Sequence, residues 1–552
     1  MHKMKKAVAM MLVFMLAAGL AACGKKAEDK KPENSAPVEK TEEKANDNET
    51  EPAKTAEDVE SEDGEIIEIT PSTDEADESG LLRIGVAKSS EYYYDEETYE
   101  TLAYAKYSNV SLLAGSDTYT ELAASLDEFS SDSKARTLDE FEILKSSVKS
   151  DIEAGDELFM NYFIEEGSNI VRADDKALSI VDFVSSYTGG AHENLGIFTY
   201  NYDTKSGKLL KLTDVIKDVD TFTELISEKA SKYADDVISD PAEYIKKGIN
   251  EEGYCLSWAL SYTGVDVYFA PYEIASYAAG VITVSVTFKE NPEIFNDLYT
   301  EVPASYEVAF SGAGQVLADT NGDGLPENVS VWKTPGDDAA DLFNLSVYIG
   351  EDLVVSDDEF FNFDYNCIML HKADGNYILV DGQSYNDCHT TRVYDIASKK
   401  MTDELLGTGL VRYGTYDDYP FCYEVAGNPD KKELFTRLEA LGTYDAFRNY
   451  SLEGGKLIPE KEYYYYDDGA VTLRNAVGLT VDVCDENGNV TGETDVKPGE
   501  YFTYLYTDNA TFMMCSLSDG TIVKLDMNIS EYPQTVEGED VMDVFPDVLF
   551  AG

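Results

Sequence analysis

The composition of the chain changes abruptly at residue 81, and this change most constrains what the chain can fold into. Residues 24–80 consist mainly of Glu, Lys, Asp, Pro, Ala, Ser and Thr, with very few aromatic or branched apolar residues. Such a segment cannot bury enough surface to offset the entropy of ordering its backbone, so we expect a disordered acidic tether. From Leu81 onward the chain is rich in Tyr, Phe, Val, Leu and Ile. This part can form packed cores, and its roughly 470 residues suggest about three domains.

The first 23 residues have the pattern of an export signal. Three lysines precede an apolar run, residues 7–19, that is too short to remain as a transmembrane helix. The run ends in Leu-Ala-Ala-Cys at residues 20–23, which resembles a bacterial lipobox. We therefore predict that residues 1–23 are a lipoprotein signal peptide and that Cys23 is diacylated. That lipid would anchor the protein to the cell membrane on its extracellular side. The alternative is an ordinary secretory signal in which Cys23 has no role.

Most of the negative charge belongs to the part that folds. The formal net charge is -64, of which the tether contributes -13 and the signal peptide +3, leaving -54 to residues 81–552. Nucleic acid, teichoic acid and anionic lipid headgroups are polyanions that such a body repels. We therefore expect no nucleic-acid partner and no membrane contact beyond the lipid anchor. Cations and basic proteins are the easier partners, although acidity can also serve only to keep an exported protein soluble.

Residues 81–310 are predicted to form an α+β domain, with helices packed on a mainly antiparallel sheet. Apolar residues recur at helical spacing across residues 119–153, which indicates one long or two short amphipathic helices. Residues 221–234 also have a helical pattern, whereas the apolar runs at 265–270 and 281–288 are typical of strands.

Two further domains are predicted after residue 310. Residues 311–455 have short apolar runs separated by turn residues, which indicates a mainly-β domain, with one short helix at 431–441. Residues 457–552 contain short strands joined by tight hairpins. Their pattern is similar to that of the small SH3-like β-barrels of bacterial cell-wall proteins, which bind wall peptides or act as spacers.

The second domain opens with an Asp-rich loop, ADTNGDGLPENVSVW. The loop has oxygen atoms at the ligand positions of a calcium loop. Positions one, three, five and nine are the side chains of Asp319, Asn321, Asp323 and Glu327, and position seven is the carbonyl of Leu325. The bidentate Glu that an EF-hand has at position twelve is missing. The spacing therefore predicts a structural calcium site in a loop that enters a strand. The alternative is a metal-free Asp-Gly turn.

Six cysteines follow Cys23, and they allow fifteen disulfide pairings. An exported protein can form disulfides, but none of the spacings fixes a pairing. We favour buried free thiols and leave the pairing open.

Three segments carry a resemblance to a known family: YTGGAHEN at 187–194, FTYNYDTKSGKLLKLTDVI at 198–216 and YFAPYEIASYAAGVITVSV at 268–286. They are similar to a domain of unknown function of exported bacterial proteins. That domain forms the lysozyme-binding outer half of the RsiV anti-sigma factor and a non-catalytic part of the PdaC peptidoglycan deacetylase. The resemblance covers residues 81–300. It implies a binding surface, because in PdaC the chemistry belongs to a separate domain of which this sequence shows no segment.

Two polar residues in these segments are candidates for a site. His192 follows two glycines in a turn, and Glu273 follows Tyr272 in a segment of small residues. A histidine with a carboxylate partner can act as an acid–base pair or hold a metal. Alternatively, both residues form local hydrogen bonds that hold the turn and the strand exit, and this interpretation is favoured because such pairs are often structural. His192, Tyr272 and Glu273 are therefore predicted as ligand-binding candidates rather than catalytic residues.

These observations predict a membrane-anchored extracellular lipoprotein that binds a protein of the lysozyme kind or a cell-wall ligand. No recognisable catalytic motif is present, and the histidines after the signal peptide are not at zinc-site spacing. We therefore expect no enzymatic activity. The alternatives are a hydrolase that modifies the cell wall and a structural spacer at the cell surface. The oligomeric state stays open.

Overall fold

The computed structural model describes residues 79–155, 160–233, 241–250, 256–311, 314–336, 342–360, 362, 364–384, 389–410, 412–413, 422–467, 469–485 and 487–550. The predicted lipidation site Cys23 and nearly all of the predicted tether lie outside these ranges. None of the helices in them is long and apolar enough to cross a membrane.

The helices are α1 (Thr120–Ala154), α2 (Leu212–Val215), α3 (Val219–Ser231), α4 (Pro241–Asn250), α5 (Asp297–Thr300) and α6 (Val541–Val544), with 3-10 turns at Tyr277–Ala279 and Pro292–Ile294. The strands up to residue 311 are β1 (Ile84–Tyr94), β2 (Thr101–Leu112), β3 (Tyr162–Ala173), β4 (Ala177–Tyr187), β5 (Asn194–Asp203), β6 (Ser257–Leu260), β7 (Gly264–Phe269), β8 (Ile282–Thr287) and β9 (Tyr306–Ser311). The next are β10 (Gln315–Ala318), β11 (Glu327–Pro335), β12 (Phe343–Ile349), β13 (Asp352–Phe360), β14 (Asp364–Lys372), β15 (Gly375–Gln383), β16 (His389–Asp395), β17 (Lys400–Leu406), β18 (Thr408–Leu410), β19 (Arg412–Tyr413), β20 (Cys422–Ala426), β21 (Lys431–Leu438) and β22 (Tyr444–Glu453). The last are β23 (Lys456–Pro459), β24 (Tyr464–Tyr465), β25 (Thr472–Arg474), β26 (Leu479–Cys484), β27 (Val490–Val496), β28 (Tyr501–Thr507), β29 (Phe512–Leu517), β30 (Ile522–Asn528), β31 (Thr535–Val536) and β32 (Glu539–Asp540).

The described chain is mostly β and forms four sheets. The first has 12 strands in the order β17-β16-β15-β14-β9-β3-β2-β1-β20-β19, with β4 and β5 added beside β3. A 4-stranded sheet runs β10-β11-β12-β13, and β6, β7 and β8 form a 3-stranded sheet. The fourth sheet has 13 strands, built on the order β18-β21-β22-β24-β28-β29-β30-β26-β27.

Helix α1 is the single long helix that the apolar spacing allowed. It lies between β2 and β3, which pair in parallel, so it forms the crossover that a parallel pair needs. Its buried side chains recur every three or four residues, from Leu122 to Val148. Because this stripe packs on the first sheet, the helix covers one face of the strands that carry the site described below.

Residues 204–300 add a smaller layer. Helices α3 and α4 pack on the 3-stranded sheet around a core that includes Phe222, Ile226, Val267 and Phe269. The strands β7 and β8 confirm the two runs that the sequence indicated, and α3 confirms the helical pattern at 221–234. Whether residues 81–310 form a separate α+β domain stays a prediction, since β9 pairs with β14 and β1 with β20.

Two predictions differ from the structure. The predicted helix at 431–441 is strand β21, which pairs along its whole length with β22. The predicted SH3-like barrel at 457–552 does not close within the described residues: its strands continue the 13-stranded sheet through the pair β22–β24. The predicted hairpins form. However, β24, which a closed barrel would pair within residues 457–552, is hydrogen-bonded to β22, a strand before residue 457. The domain boundaries stay predictions, and the sheets run across them.

The structure describes three free thiols. Cys367, Cys484 and Cys515 are free and buried. Burial raises the pKa of the Cys515 thiol well above its ordinary value, which makes it unreactive as a nucleophile.

Candidate functional site

The turn that carries His192 is shaped by Gly189. Its φ is +90°, and a Cβ atom at this position would lie 2.2 Å from the hydroxyl oxygen of Tyr162. Only glycine fits here without a shift of the backbone or of that ring. The Tyr187 hydroxyl donates to the carbonyl of Gly190 at 3.0 Å. These contacts set the path of the chain from the end of β4 into the turn.

His192 is packed between two tyrosines of the segment that follows β7. Its ring stacks on Tyr277, with centroids 3.9 Å apart and an interplanar angle of 21°. Its Nε2 lies 3.0 Å from the Tyr272 hydroxyl, and its Nδ1 lies 2.7 Å from the carbonyl oxygen of Glu193. Because a carbonyl only accepts, Nδ1 carries the proton and Nε2 accepts from the tyrosine in the neutral ring. Tyr272 is held at φ 73° and is 51% exposed.

Glu273 is engaged elsewhere. Its Oε2 accepts from the backbone N–H of Ala270 at 2.8 Å, and its carboxylate also bonds the Tyr244 hydroxyl. Burial raises the pKa of Glu273, while these two bonds lower it in part. The structure thus brings His192 together with Tyr272 and ties Glu273 to its own segment and to helix α4. These hydrogen bonds hold the turn and the segment after β7 in place. The binding roles of the three residues stay predictions.

A row of aromatic rings crosses the first sheet beside this turn. Tyr92 of β1 lies directly opposite Tyr104 of β2, Tyr104 opposite Phe163 of β3, and Phe163 opposite Tyr187 of β4. Neighbouring ring centroids along the row are 5.5 to 6.2 Å apart. Tyr94 extends the row at 6.0 Å from Tyr92. The Tyr162 hydroxyl bonds Asp151 of α1, and successive strand residues point to opposite faces, so the next residue, Phe163, and the rings in register with it point away from that helix.

The two groups of rings meet at Glu193. This carboxylate accepts from the Ser185 hydroxyl at 2.9 Å. Burial raises the pKa of Tyr104 and that of Tyr277, and the nearby Glu193 contributes to both shifts. We call the combined region the aromatic surface and define it by six residues: Tyr92, Tyr94, Tyr104, His192, Tyr272 and Tyr277. Tyr92 and Tyr94 are each 47% exposed.

Sequence reasoning missed four of these six residues. A partial signal was available in the run EYYYDEETYE, where Tyr92 and Tyr94 are two residues apart. Nothing in the sequence singles out Tyr104 or Tyr277. A spacing of two places Tyr92 and Tyr94 on one face of a strand. It does not say that this face is open to solvent.

The Asp-rich loop is closed by its own hydrogen bonds. The carboxylate of Asp319 accepts from the backbone N–H groups of Asn321, Gly322, Asp323 and Gly324 at 2.7 to 3.3 Å. Glu327 accepts from the Thr320 N–H and hydroxyl through one oxygen, and from the Asn321 side-chain amide through the other. Asp323 accepts from the N–H of Leu325 at 2.8 Å.

The donor set of this loop suits a hard cation, because it consists of carboxylate, amide and carbonyl oxygens. Its charge is partly balanced within the protein: the Lys289 ammonium donates to the carbonyl oxygen of Asp323 and lies 3.7 Å from that residue's carboxylate. No group of three or more His, Cys, Asp or Glu side chains in the described ranges is arranged to hold a metal ion. A calcium ion here would have to displace the ammonium.

A second, enclosed cluster lies between the first sheet and β18. Nδ1 of His389 is 3.5 Å from Oδ1 of Asp381, and both side chains are buried. They line a cavity of about 60 Å³ together with Lys88 and Asn366. A Cβ atom on Gly409 would lie 2.7 Å from the His389 nitrogen, so this glycine makes the room that the pair occupies. The sequence gives no signal for the pair, because it depends on the register of β15 and β16.

Residues 213–289 match the family model described as Protein of unknown function (DUF3298). Two solved structures of DUF3298 family proteins are similar to the chain. The one from Bacteroides fragilis is 14% identical over 40% of this chain and 95% of that chain, with a TM-score of 0.29. The one from Pseudomonas aeruginosa is 16% identical over 40% of this chain and 96% of that chain, with a TM-score of 0.26. Comparison with curated proteins finds no match. Tyr272 and Tyr277 lie within the matched residues, whereas His192 and the tyrosines of β1 and β2 precede them.

Proposed function

We propose that this protein, whose residues 213–289 are a DUF3298 domain, is a binding module that a lipid on Cys23 anchors to the extracellular face of a bacterial cell membrane. Its ligand is an extracellular protein of the lysozyme kind or a component of the cell wall. The ligand docks on the aromatic surface.

The observation that carries this proposal is the exposure of tyrosines on a rigid support. Exposed tyrosines supply large contact area at low entropic cost, and they are enriched among residues that dominate binding energy. Tyr92 and Tyr94 project from a hairpin that is paired along its length, and Tyr272 is fixed by its bond to His192. These rings lie close to one another, and contiguous exposed patches of this kind often mark sites of ligand binding.

The resemblance to the domain shared by RsiV and PdaC supports the same function. In RsiV that domain contacts an incoming protein, and in PdaC it accompanies a catalytic domain without taking part in catalysis. The net charge of -54 on residues 81–552 favours a ligand with basic groups. We further propose that calcium in the Asp-rich loop braces the protein, because Asp319 and Thr320 offer their carbonyls to His371 and Asn376 of the first sheet.

The test is a binding measurement on the chain without its lipid, with lysozyme and with peptidoglycan as separate ligands. Ionic strengths of about 0.15 M and about 0.3 M separate specific contacts from general attraction, since the Debye length is about 8 Å at 0.15 M. A basic protein of unrelated fold is the control. Binding that survives the higher salt, exceeds the control and is lost in Tyr92→Ala supports the proposal. Binding that the control reproduces contradicts it.

A hydrolase that modifies the cell wall is the second candidate, and the buried Asp381–His389 pair favours it. A carboxylate close to a histidine beside a cavity is an arrangement used in acid–base catalysis. Release of soluble fragments from peptidoglycan by the purified protein, and its loss in His389→Gln with unchanged thermal stability, would establish this activity. Absence of any release would remove it.

A further inference from the structure

We infer that the aromatic surface binds a glycan that carries free amino groups. This inference rests on the proposed function, since it names the ligand class of the same surface. Three properties of the surface lead to it: the row of rings, its small exposed area and the placement of its carboxylates.

The rings form a row, as the sugar rings of a linear glycan do, and the Lys106 ammonium lies 5.1 Å from the centroid of the Tyr104 ring. Tyr94, Tyr92 and Tyr104 follow one another at 6.0 and 6.2 Å, with interplanar angles of 23° and 37°. The face of an aromatic ring is negative, so it attracts the C–H groups of a sugar ring and also an ammonium group above it. Stacking of this kind tolerates many ligand sequences, as in other proteins that bind polymers on aromatic platforms.

The exposed rings alone present an area that suits a small ligand. Tyr92, Tyr94 and Tyr272 are 47%, 47% and 51% exposed, and a tyrosine side chain presents roughly 200 Å² when fully accessible. The three rings therefore offer about 300 Å², and a protein ligand would need further contacts around them to reach the roughly 800 Å² that a standard interface buries on each partner. An oligosaccharide of a few residues matches the smaller area.

The carboxylates beside the rings select the charge of the glycan. Glu165 is balanced by Lys106, whose ammonium lies 2.6 Å away. Glu193 receives only the neutral hydroxyl of Ser185 among its described side-chain bonds, so its negative charge remains at the junction of the two ring groups. A protonated amino sugar pairs with this charge, whereas an acetylated one does not.

Other occupants fit less well. The chain's own tether carries a net charge of -13 and is repelled by the acidic folded part. Anionic wall polymers are repelled for the same reason. A cationic peptide meets the charge of Glu193 but lacks the flat apolar faces that a row of tyrosines stacks, so it is the comparison ligand of choice.

The experiment is calorimetric titration of the chain without its lipid at about pH 6, where amines are protonated. The ligands are a glucosamine oligosaccharide, the same oligosaccharide fully N-acetylated, and an oligolysine of equal charge. We expect the glucosamine oligomer to bind at least about tenfold more tightly than the other two. Glu193→Gln should remove this preference, and Tyr92→Ala should weaken both sugars. Tyr501→Ala is the matched control, because Tyr501 is 49% exposed on β28 and should change nothing.

Equal binding of the acetylated oligomer would overturn the role of Glu193. Equal binding of oligolysine would show that the surface recognises only positive charge, which would overturn the assignment to a glycan. Absence of all three interactions, combined with salt-resistant binding of lysozyme or peptidoglycan in the assay above, would refute this inference and leave the proposed function standing. Absence of binding in both assays would refute both.

Discussion

The buried guanidinium of Arg172 provides the sharpest test of how the first sheet is joined to the DUF3298 region. Arg172 lies on β3 and Asp174 directly after it, and both side chains are fully buried. Nε of Arg172 donates to Oδ2 of Asp174 at 2.8 Å. The same guanidinium donates to the carbonyl oxygens of Ser261 and Tyr299 at 3.2 and 3.0 Å. It therefore connects three segments that are 89 and 127 residues apart in sequence.

Replacement of Arg172 with Met keeps the apolar stem but leaves the Asp174 carboxylate without its counter-ion. Removing one partner of a buried ion pair costs about 3–5 kcal/mol, because the remaining charge stays desolvated. We expect a loss of this size in the free energy of unfolding. Urea denaturation followed by tryptophan fluorescence measures it locally, since Trp258 lies on β6 close to Ser261.

The control is the double variant Arg172→Met with Asp174→Asn, which removes the orphaned charge as well. Oδ1 of Asp174 accepts from the N–H groups of Lys176 and Ala177, and an asparagine oxygen can keep these two bonds. The double variant should therefore be more stable than the single one by about 1–3 kcal/mol. A loss below about 1 kcal/mol for the single variant, or a double variant that is less stable still, would refute the reasoning.

Three further predictions concern the fold and its sites. Burial raises the pKa of Asp266 from 3.8 to about 6, so the folded state holds this proton more tightly than the unfolded state. The stability that the protonated Asp266 adds to the folded state is therefore complete below about pH 4, and it is lost as the pH rises through about 6. Relative to Asp266→Asn, the wild type should lose about 3 kcal/mol of stability across that window in denaturation series at several pH values, and parallel curves would contradict the assignment. Gly189→Ala should destabilise the protein by about 1–3 kcal/mol and abolish ligand binding because its Cβ meets Tyr162, whereas Gly190→Ala should be tolerated; equal behaviour of the two variants would show that the turn is not constrained. Calcium should raise the melting temperature in scanning calorimetry, and Asp323→Ala should remove the increase; a melting temperature that ignores calcium in both proteins would exclude the site.

Local patterns in the sequence predicted several elements correctly. The helical spacing of apolar residues predicted α1, and two apolar runs predicted β7 and β8. These features depend on a period of 3.6 or 2 residues and on nearby turn residues, and both are properties of a short stretch of chain. The glycine-rich turn before His192 was recognised for the same reason.

The error at 431–441 shows where local patterns fail. Lys432 is buried on β21, where its ammonium bonds the equally buried Glu307 of β9. From the sequence alone a lysine marks a solvent-exposed position, so the alternation of the strand is hidden. Only the partner 125 residues away makes its burial tolerable.

The features of the candidate site also fall into two groups, those that the sequence predicts and those that depend on the tertiary structure. The sequence by itself determined that Tyr92 and Tyr94 are two residues apart, that Gly189 permits a turn, and that residues 319–327 carry calcium-loop spacing. Only the tertiary structure decided that Tyr104 lies opposite Phe163 across a parallel pair, that His192 meets Tyr272 from 80 residues away, and that Glu273 bonds its own segment instead. Conformational preference acts between neighbours in the chain, whereas strand register and side-chain contact are set by the free energy of packing the whole molecule.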